Sequence, residues 1–231
     1  MHNKRIGIIG GMGPEATAYY YTQLVKRTHV SKDQDHFHVV IDANPKIPDR
    51  TQAILNQGES PLPYLIESIE RLNKMHVDRA FITCITSHYF FDQIKPHTQF
   101  ELIHALDALN IALHQANIKK IGLLATSGTI KTQLFLKALK DIEVIVPDSS
   151  SQAEVMDAIY NPDTGIKSGH TEGIAIEQLI KAGEALIAQG AEVIVGGCTE
   201  VSMVLKAHHF NVRLYDPMIV TIDSIIKGDS L

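Results

Sequence analysis

Apolar residues are spaced along the chain in two alternating rhythms. Short runs rich in Ile, Val and Leu are separated by longer stretches in which apolar positions return every three or four residues. The runs predict strands at Arg5–Ile9, Phe37–Asp42, Arg79–Cys84, Glu101–Ile103, Lys120–Ala125, Glu143–Val146, Glu192–Gly197 and Val212–Tyr215. The periodic stretches predict helices in most of the gaps, among them Pro14–Lys26, Pro63–Met75, Ser127–Lys140, Gln152–Tyr160 and Gly173–Gln189. Lys26–Asp35 and Asn161–Gly169 read as turns or loops, the second dense in Asn, Pro, Asp and Gly. Strands that alternate with helices in this way predict a parallel α/β architecture.

A longer repeat overlies that alternation. Arg5-Ile6-Gly7-Ile8-Ile9 returns in pattern as Lys120-Ile121-Gly122-Leu123-Leu124, each followed by a turn and a helix. Cys84 follows Ile6 by 78 positions, and Cys198 follows Ile121 by 77. Both cysteines end an apolar strand and lead into a threonine-bearing turn, Cys84-Ile85-Thr86 and Cys198-Thr199. The repeat predicts two similar halves, each with a cysteine at the carboxyl end of a parallel strand, where open α/β sheets bind ligands. The first domain is expected over residues 1–100 with 211–231 returning to it, and the second over 101–210.

Composition narrows the setting. A hydrophobic share of 45% with 20% charged residues fits a globular chain with a real core. A net charge of -5 argues against a nucleic-acid partner, which needs a basic face. No apolar stretch approaches a membrane span, so no membrane partner is expected. Met1–Arg5 and the short run Ile6–Ile9 do not make a secretion signal, and two cysteines do not make a secreted disulfide framework. A cytoplasmic location with reduced thiols is the expectation.

Two thiols on opposite sides of one cleft suit a particular chemistry. One, as thiolate, takes a proton from a carbon; the other, as thiol, delivers a proton to the opposite face. A strand-to-helix turn supplies unpaired N–H groups and positive potential, which lower a thiol's pKa from about 8.5. Those N–H groups, with the hydroxyls of Thr86 and Thr199, can hold a carboxylate between the thiols. Other readings have less support. Gly11-Met12-Gly13-Pro14-Glu15-Ala16 fits a loose dinucleotide pattern, with Asp42 as ribose acceptor, but Asp42 comes too late in the sequence. The 12 histidines and two cysteines show no metal-ligand spacing, so no metal is expected.

Several blocks, taken in order, carry a resemblance. They are Ile6–Pro14, Asp33–His36, Asn44–Thr51, Cys84–His88, Gly122–Thr129, Gly197–Val201 and Asp216–Met218. Over nearly its whole length the chain resembles the aspartate/glutamate racemase superfamily, closest to its aspartate racemase branch. The resemblance implies an α/β fold of two pseudo-symmetric Rossmann-like three-layer domains, with parallel sheets facing a central cleft. It implies a homodimer, no cofactor, and a small acidic amino acid as substrate. It makes Cys84 and Cys198 the acid/base pair, and Arg50 and Lys167 the readers of the side-chain carboxylate. Met12, Thr86, Ser87, Thr126 and Thr199 fall at substrate-binding positions. From position alone, His88 follows Cys84 by four residues, one helical turn, and is expected to tune that thiol, while Glu200 is expected to stand beside Cys198. Where the family reads Cys-Asn-Thr-Ala-His, this chain reads Cys84-Ile85-Thr86-Ser87-His88. Ile85 cannot donate the amide hydrogen bond, although Ser87 can compensate. Three alternatives follow: a racemase of glutamate or another acidic amino acid, a catalytically weak binding paralogue, and a redox switch through a Cys84–Cys198 disulfide.

Overall fold

The computed structural model describes residues 4–228. The chain forms two compact units, Met1–Ala108 with Met218–Leu231, and Leu109–Pro217. In the first, β1 (Arg5–Gly10) leads to α1 (Pro14–Arg27), β2 (His38–Ala43), α2 (Arg50–Ile54), α3 (Leu62–Lys74), β3 (Arg79–Ile82), α4 (Phe91–Ile94) and β4 (Glu101–Leu102). α5 (Ala105–Gln115) carries the chain across the boundary. The second unit holds β5 (Lys120–Leu124), α6 (Ser127–Lys131), α7 (Leu134–Ala138), β6 (Glu143–Ile145), α8 (Ser149–Tyr160), α9 (Ile174–Ala188), β7 (Val193–Gly196), α10 (Thr199–Val204) and β8 (Arg213–Tyr215). α11 (Pro217–Lys227) returns to the first unit, where Asp223 accepts two hydrogen bonds from Arg27 of α1 at 2.7 and 2.6 Å.

Both sheets are parallel and share one strand order, β2-β1-β3-β4 and β6-β5-β7-β8. Helices cover the central strands on both faces, so β1 beyond Arg5 and all of β3 and β7 are buried. The Ile-Gly repeat has a packing cause. A Cβ on Gly7 would stand 2.9 Å from Leu72 Cδ1 of α3 and 3.0 Å from Ala80 Cβ of β3. A Cβ on Gly122 would stand 2.9 Å from Leu186 Cβ of α9 and 2.8 Å from Ile194 Cδ1 of β7. In each half the missing side chain lets a helix and a neighbouring strand close on the first strand.

The approach to the third strand also repeats. α3 ends at left-handed His76 (φ 51°) and α9 at Gly190 (φ 94°). The next residues, Val77 and Ala191, donate back to the carbonyls of Leu72 and Leu186. The acidic residues after them, Asp78 and Glu192, then accept from the backbone N–H groups of Arg5 and Lys119 at the start of the first strand. Sequence therefore encodes the half-repeat through packing and turn geometry with little residue identity.

Several expected boundaries shift. Ser127–Lys140 is two short helices, α6 and α7, broken at left-handed Gln133 (φ 55°). The break follows Thr132, whose hydroxyl donates to the Thr129 carbonyl at 2.9 Å and competes with helical bonding. The crossing between units lies within α5, beyond residue 100, because Glu101–Leu102 pairs with β3. Likewise β8 stays with β7, so the return begins at Met218. No helix among the described residues is long and apolar enough to cross a membrane.

Candidate active site

In the first unit, Cys84 leaves β3 two residues after its end and is buried at 6% exposure. The preceding Thr83 fixes the strand exit. Its N–H donates to Ile9 O at 3.0 Å, and its hydroxyl meets that of Thr17 at 3.1 Å. Thr17 also accepts from Gly11 N at 2.8 Å, tying the loop after β1 to the Cys84 strand. Gly11 (φ 89°) is required there, since a Cβ would lie 2.3–2.5 Å from the Asn44 backbone. The loop presents buried Met12, whose Sδ accepts a contact from Ser87 Oγ at 3.4 Å. Met12, Ile47, Phe90 and Cys84 belong to one apolar cluster.

Arg50 completes this group. It opens α2, where Asp49 caps Gln52 N–H at 2.8 Å, and it is only 8% exposed. Its guanidinium donates to the carbonyls of Ile47 (3.2 Å), Pro48 (2.9 Å) and Met12 (3.3 Å). A guanidinium keeps its proton in a folded protein, so these carbonyls hold a buried cation. Thr86 and Ser87 are buried in a 3₁₀ turn, Thr86–Phe90, so the element after Cys84 is not an α-helix start. Ile85, at 1% exposure, packs into the core.

His88 does not contact the thiol through its ring nitrogens. Its Nε2 accepts from Ala105 N–H at 3.2 Å, which requires the proton on Nδ1. Nδ1–H then donates to the carbonyls of Cys84 and Ile85, both at 3.1 Å. Burial, with repulsion from His104, pushes its pKa down to about 3. The ring is therefore a neutral strut between the Cys84 turn and the start of α5.

The second unit builds a different arrangement around Cys198, which is 5% exposed at the N-cap of α10. Its Sγ donates to Glu200 Oε2 at 2.9 Å, and Thr199 Oγ1 donates to the same oxygen at 3.0 Å. Lys167 Nζ donates to Glu200 Oε1 at 2.5 Å and lies 5.5 Å from the Tyr160 ring centroid. Burial opposes the charge on Glu200, but Lys167 and the hydrogen bonds from Cys198 and Lys167 outweigh it and lower its pKa. Burial and the Glu200 charge together raise the Cys198 thiol well above its ordinary value. The expected lowering by a helix start is thus reversed at Cys198.

Thr126 caps α6, accepting from Thr129 N at 3.3 Å, with the two hydroxyls 3.1 Å apart. Beside it stands Gln152, whose Nε2 donates to Ala125 O at 3.0 Å and Ser127 Oγ at 3.3 Å. Gln152, Thr17 and Thr83 were not anticipated from sequence. The Thr-x-x-Thr spacing at Thr126 was a readable cap signal, whereas the long-range bonds of the other three left none. Asp42, weighed as a ribose acceptor, is 3.1 Å from Arg71 Nη1. Among the described residues no three His, Cys, Asp or Glu side chains converge as a metal site requires.

Comparison with known proteins places this geometry. The sequence model described as Asp/Glu/hydantoin racemase matches residues 9–225. The broad specificity amino-acid racemase RacX of Bacillus subtilis is 28% identical over 220 residues, covering 91% of this chain and 92% of its own. The structure of Picrophilus torridus aspartate racemase superposes with a TM-score of 0.85 at 25% identity, covering 99% of this chain and 96% of that one. A glutamate racemase from Francisella tularensis, solved with D-glutamate, shares the fold at a TM-score of 0.67 and 17% identity, over 99% of this chain and 81% of that one. The chain belongs to the Asp/Glu/hydantoin racemase family and is an amino-acid racemase, an isomerase.

Proposed function

We propose that the chain interconverts L- and D-aspartate by proton transfer between the substrate α-carbon and two cysteines, Cys84 and Cys198. The observation that carries this reading is their equivalence. The sequence holds two cysteines, and each follows the third strand of a sheet with the same strand order. In the proposed step one thiolate removes the α-proton and the other thiol protonates the opposite face. Substrate-carboxylate contacts are assigned to Thr86, Ser87, Thr126 and Thr199, and the distal carboxylate to Arg50 and Lys167. Met12 shapes the loop beside Arg50, to which it offers its carbonyl. The working form is proposed to be a cytoplasmic homodimer, the commonest closed assembly.

A second reading, racemisation of a wider set of amino acids, is favoured by Lys167. Its ammonium is already paired with Glu200, so a substrate carboxylate must compete for it. Ile85 also leaves the Cys84 turn without a side-chain amide. Circular-dichroism decay with L- and D-aspartate, glutamate and alanine, without added cofactor, separates the two. Decay of both aspartate enantiomers well ahead of alanine supports the first reading; equal rates support the second. Binding of aspartate without decay contradicts both.

A further inference from the structure

We propose that Glu200 decides which cysteine carries the proton in the resting enzyme, by holding Cys198 as the thiol and leaving Cys84 to act as the base. The proposal rests on the two-thiol reading and deepens it. Two thiols that move protons at one carbon must differ, one protonated and one not. Two halves alike in strand order and cysteine position would give no preference by themselves. The likeness ends beside the sulfurs. Two residues after Cys198 stands Glu200, a carboxylate that accepts the thiol's hydrogen bond at 2.9 Å. Two residues after Cys84 stands Thr86, which carries no charge. His88 is committed as a neutral strut to the backbone.

The charged groups placed against Cys198 are Glu200 from α10 and Lys167 from the turn Ile166–Ser168, with the Tyr160 phenol of α8 behind Lys167. If Cys198 lost its proton, a second negative charge would form against a carboxylate that is itself buried. Lys167 opposes this repulsion but bonds the other carboxylate oxygen. Burial of the sulfur works with Glu200. Both influences favour the neutral thiol.

In the resulting step, the enantiomer whose α-proton faces Cys84 gives that proton to the Cys84 thiolate. The Cys198 S–H bond breaks as a C–H bond forms on the opposite face. Negative charge passes from one sulfur through carbon to the other, and Glu200 remains ionised throughout. Cys84 then releases its proton to solvent and Cys198 takes one up, which restores the resting form. Glu200 acts through Cys198 and is a positioning residue.

Comparing the two directions of turnover cannot test this. The equilibrium constant of racemisation is unity, so kcat/KM is equal in both directions at every pH. A titration of Cys198 itself is direct. Cys84→Ser leaves a single cysteine, and with isotope-labelled cysteine the NMR shift of its Cβ follows Cys198 alone. The expected midpoint lies above the ordinary value of about 8.5. Glu200→Gln in the same background should lower it by about one unit or more, a roughly tenfold gain in thiolate at fixed pH. Glu200→Asp should keep the high midpoint, and Lys167→Met should raise it. A Glu200→Gln midpoint that is unchanged or higher overturns the proposal, as does a lower one in Lys167→Met. If Glu200→Gln does not fold, Lys167→Met carries the test. No turnover is measured, so this result is independent of the two-thiol reading, which stands or falls on the activity of cysteine variants.

Discussion

Replacing His88 with Gln removes a titrating group whose protonation the folded chain resists. In the folded state its pKa is about 3, against an ordinary value of 6.5. Between these values the unfolded chain binds a proton that the folded chain excludes. The contribution of neutral His88 to stability is therefore complete above about pH 6.5 and is lost as pH falls towards 3. Each unit within that window costs about 1.4 kcal/mol, so acidification to about pH 5 removes about 2 kcal/mol. That is a large share of a typical folding stability of about 10 kcal/mol. The cause is local, because protonation of Nε2 breaks its bond from Ala105 N–H and places a charge between the Cys84 turn and α5. Urea denaturation by circular dichroism, at neutral pH and near pH 5, measures the loss in each protein. His88→Gln should be less stable than the parent at neutral pH, by roughly 1–3 kcal/mol for its broken buried bonds. Its further loss on acidification should be about 2 kcal/mol smaller than the parent's. The other histidines are common to both proteins, so the difference reports on His88. Equal acid sensitivity in parent and variant would refute the reasoning.

Two further substitutions test other links. Gly122→Ala pushes a methyl group to within 2.8 Å of Ile194 Cδ1 and 2.9 Å of Leu186 Cβ. Thermal melting should show a lower Tm, with a cost of roughly 1–3 kcal/mol, and an unchanged Tm would contradict the close-packing account of the repeat. Arg50→Ala removes the donor shared by the carbonyls of Ile47, Pro48 and Met12 along with the buried charge. Activity on aspartate should fall at least about tenfold, the equivalent of one charge-assisted hydrogen bond, and fall more than activity on alanine. An equal loss on both substrates would argue against carboxylate recognition by Arg50.

Strand runs and glycine spacing made the two-sheet fold legible because they reflect local demands. Gly7 and Gly122 are small where a helix crosses, and each cysteine lies two residues past an apolar strand. What the sequence concealed were contacts made at long range. Arg50 looks like an ordinary loop arginine until Met12, 38 positions away, offers its carbonyl. Lys167 lies in a turn-rich segment, and only folding brings it to Glu200, 33 positions on. The direction of the Cys198 shift was hidden for the same reason. A thiol before a helix is expected to acidify, yet burial and a carboxylate two residues later outweigh that tendency. His88 shows a third case, in which a residue one turn from a cysteine serves the backbone.

Turnover of L-aspartate in deuterium oxide, compared among the parent, Cys84→Ser and Cys198→Ser, tests the two-cysteine claim most directly. In the parent, D-aspartate should form with solvent deuterium at the α-carbon, and each single substitution should slow this by roughly 10²–10⁴-fold. Parent-like turnover in either variant, or D-aspartate formed without the solvent label, would contradict the account.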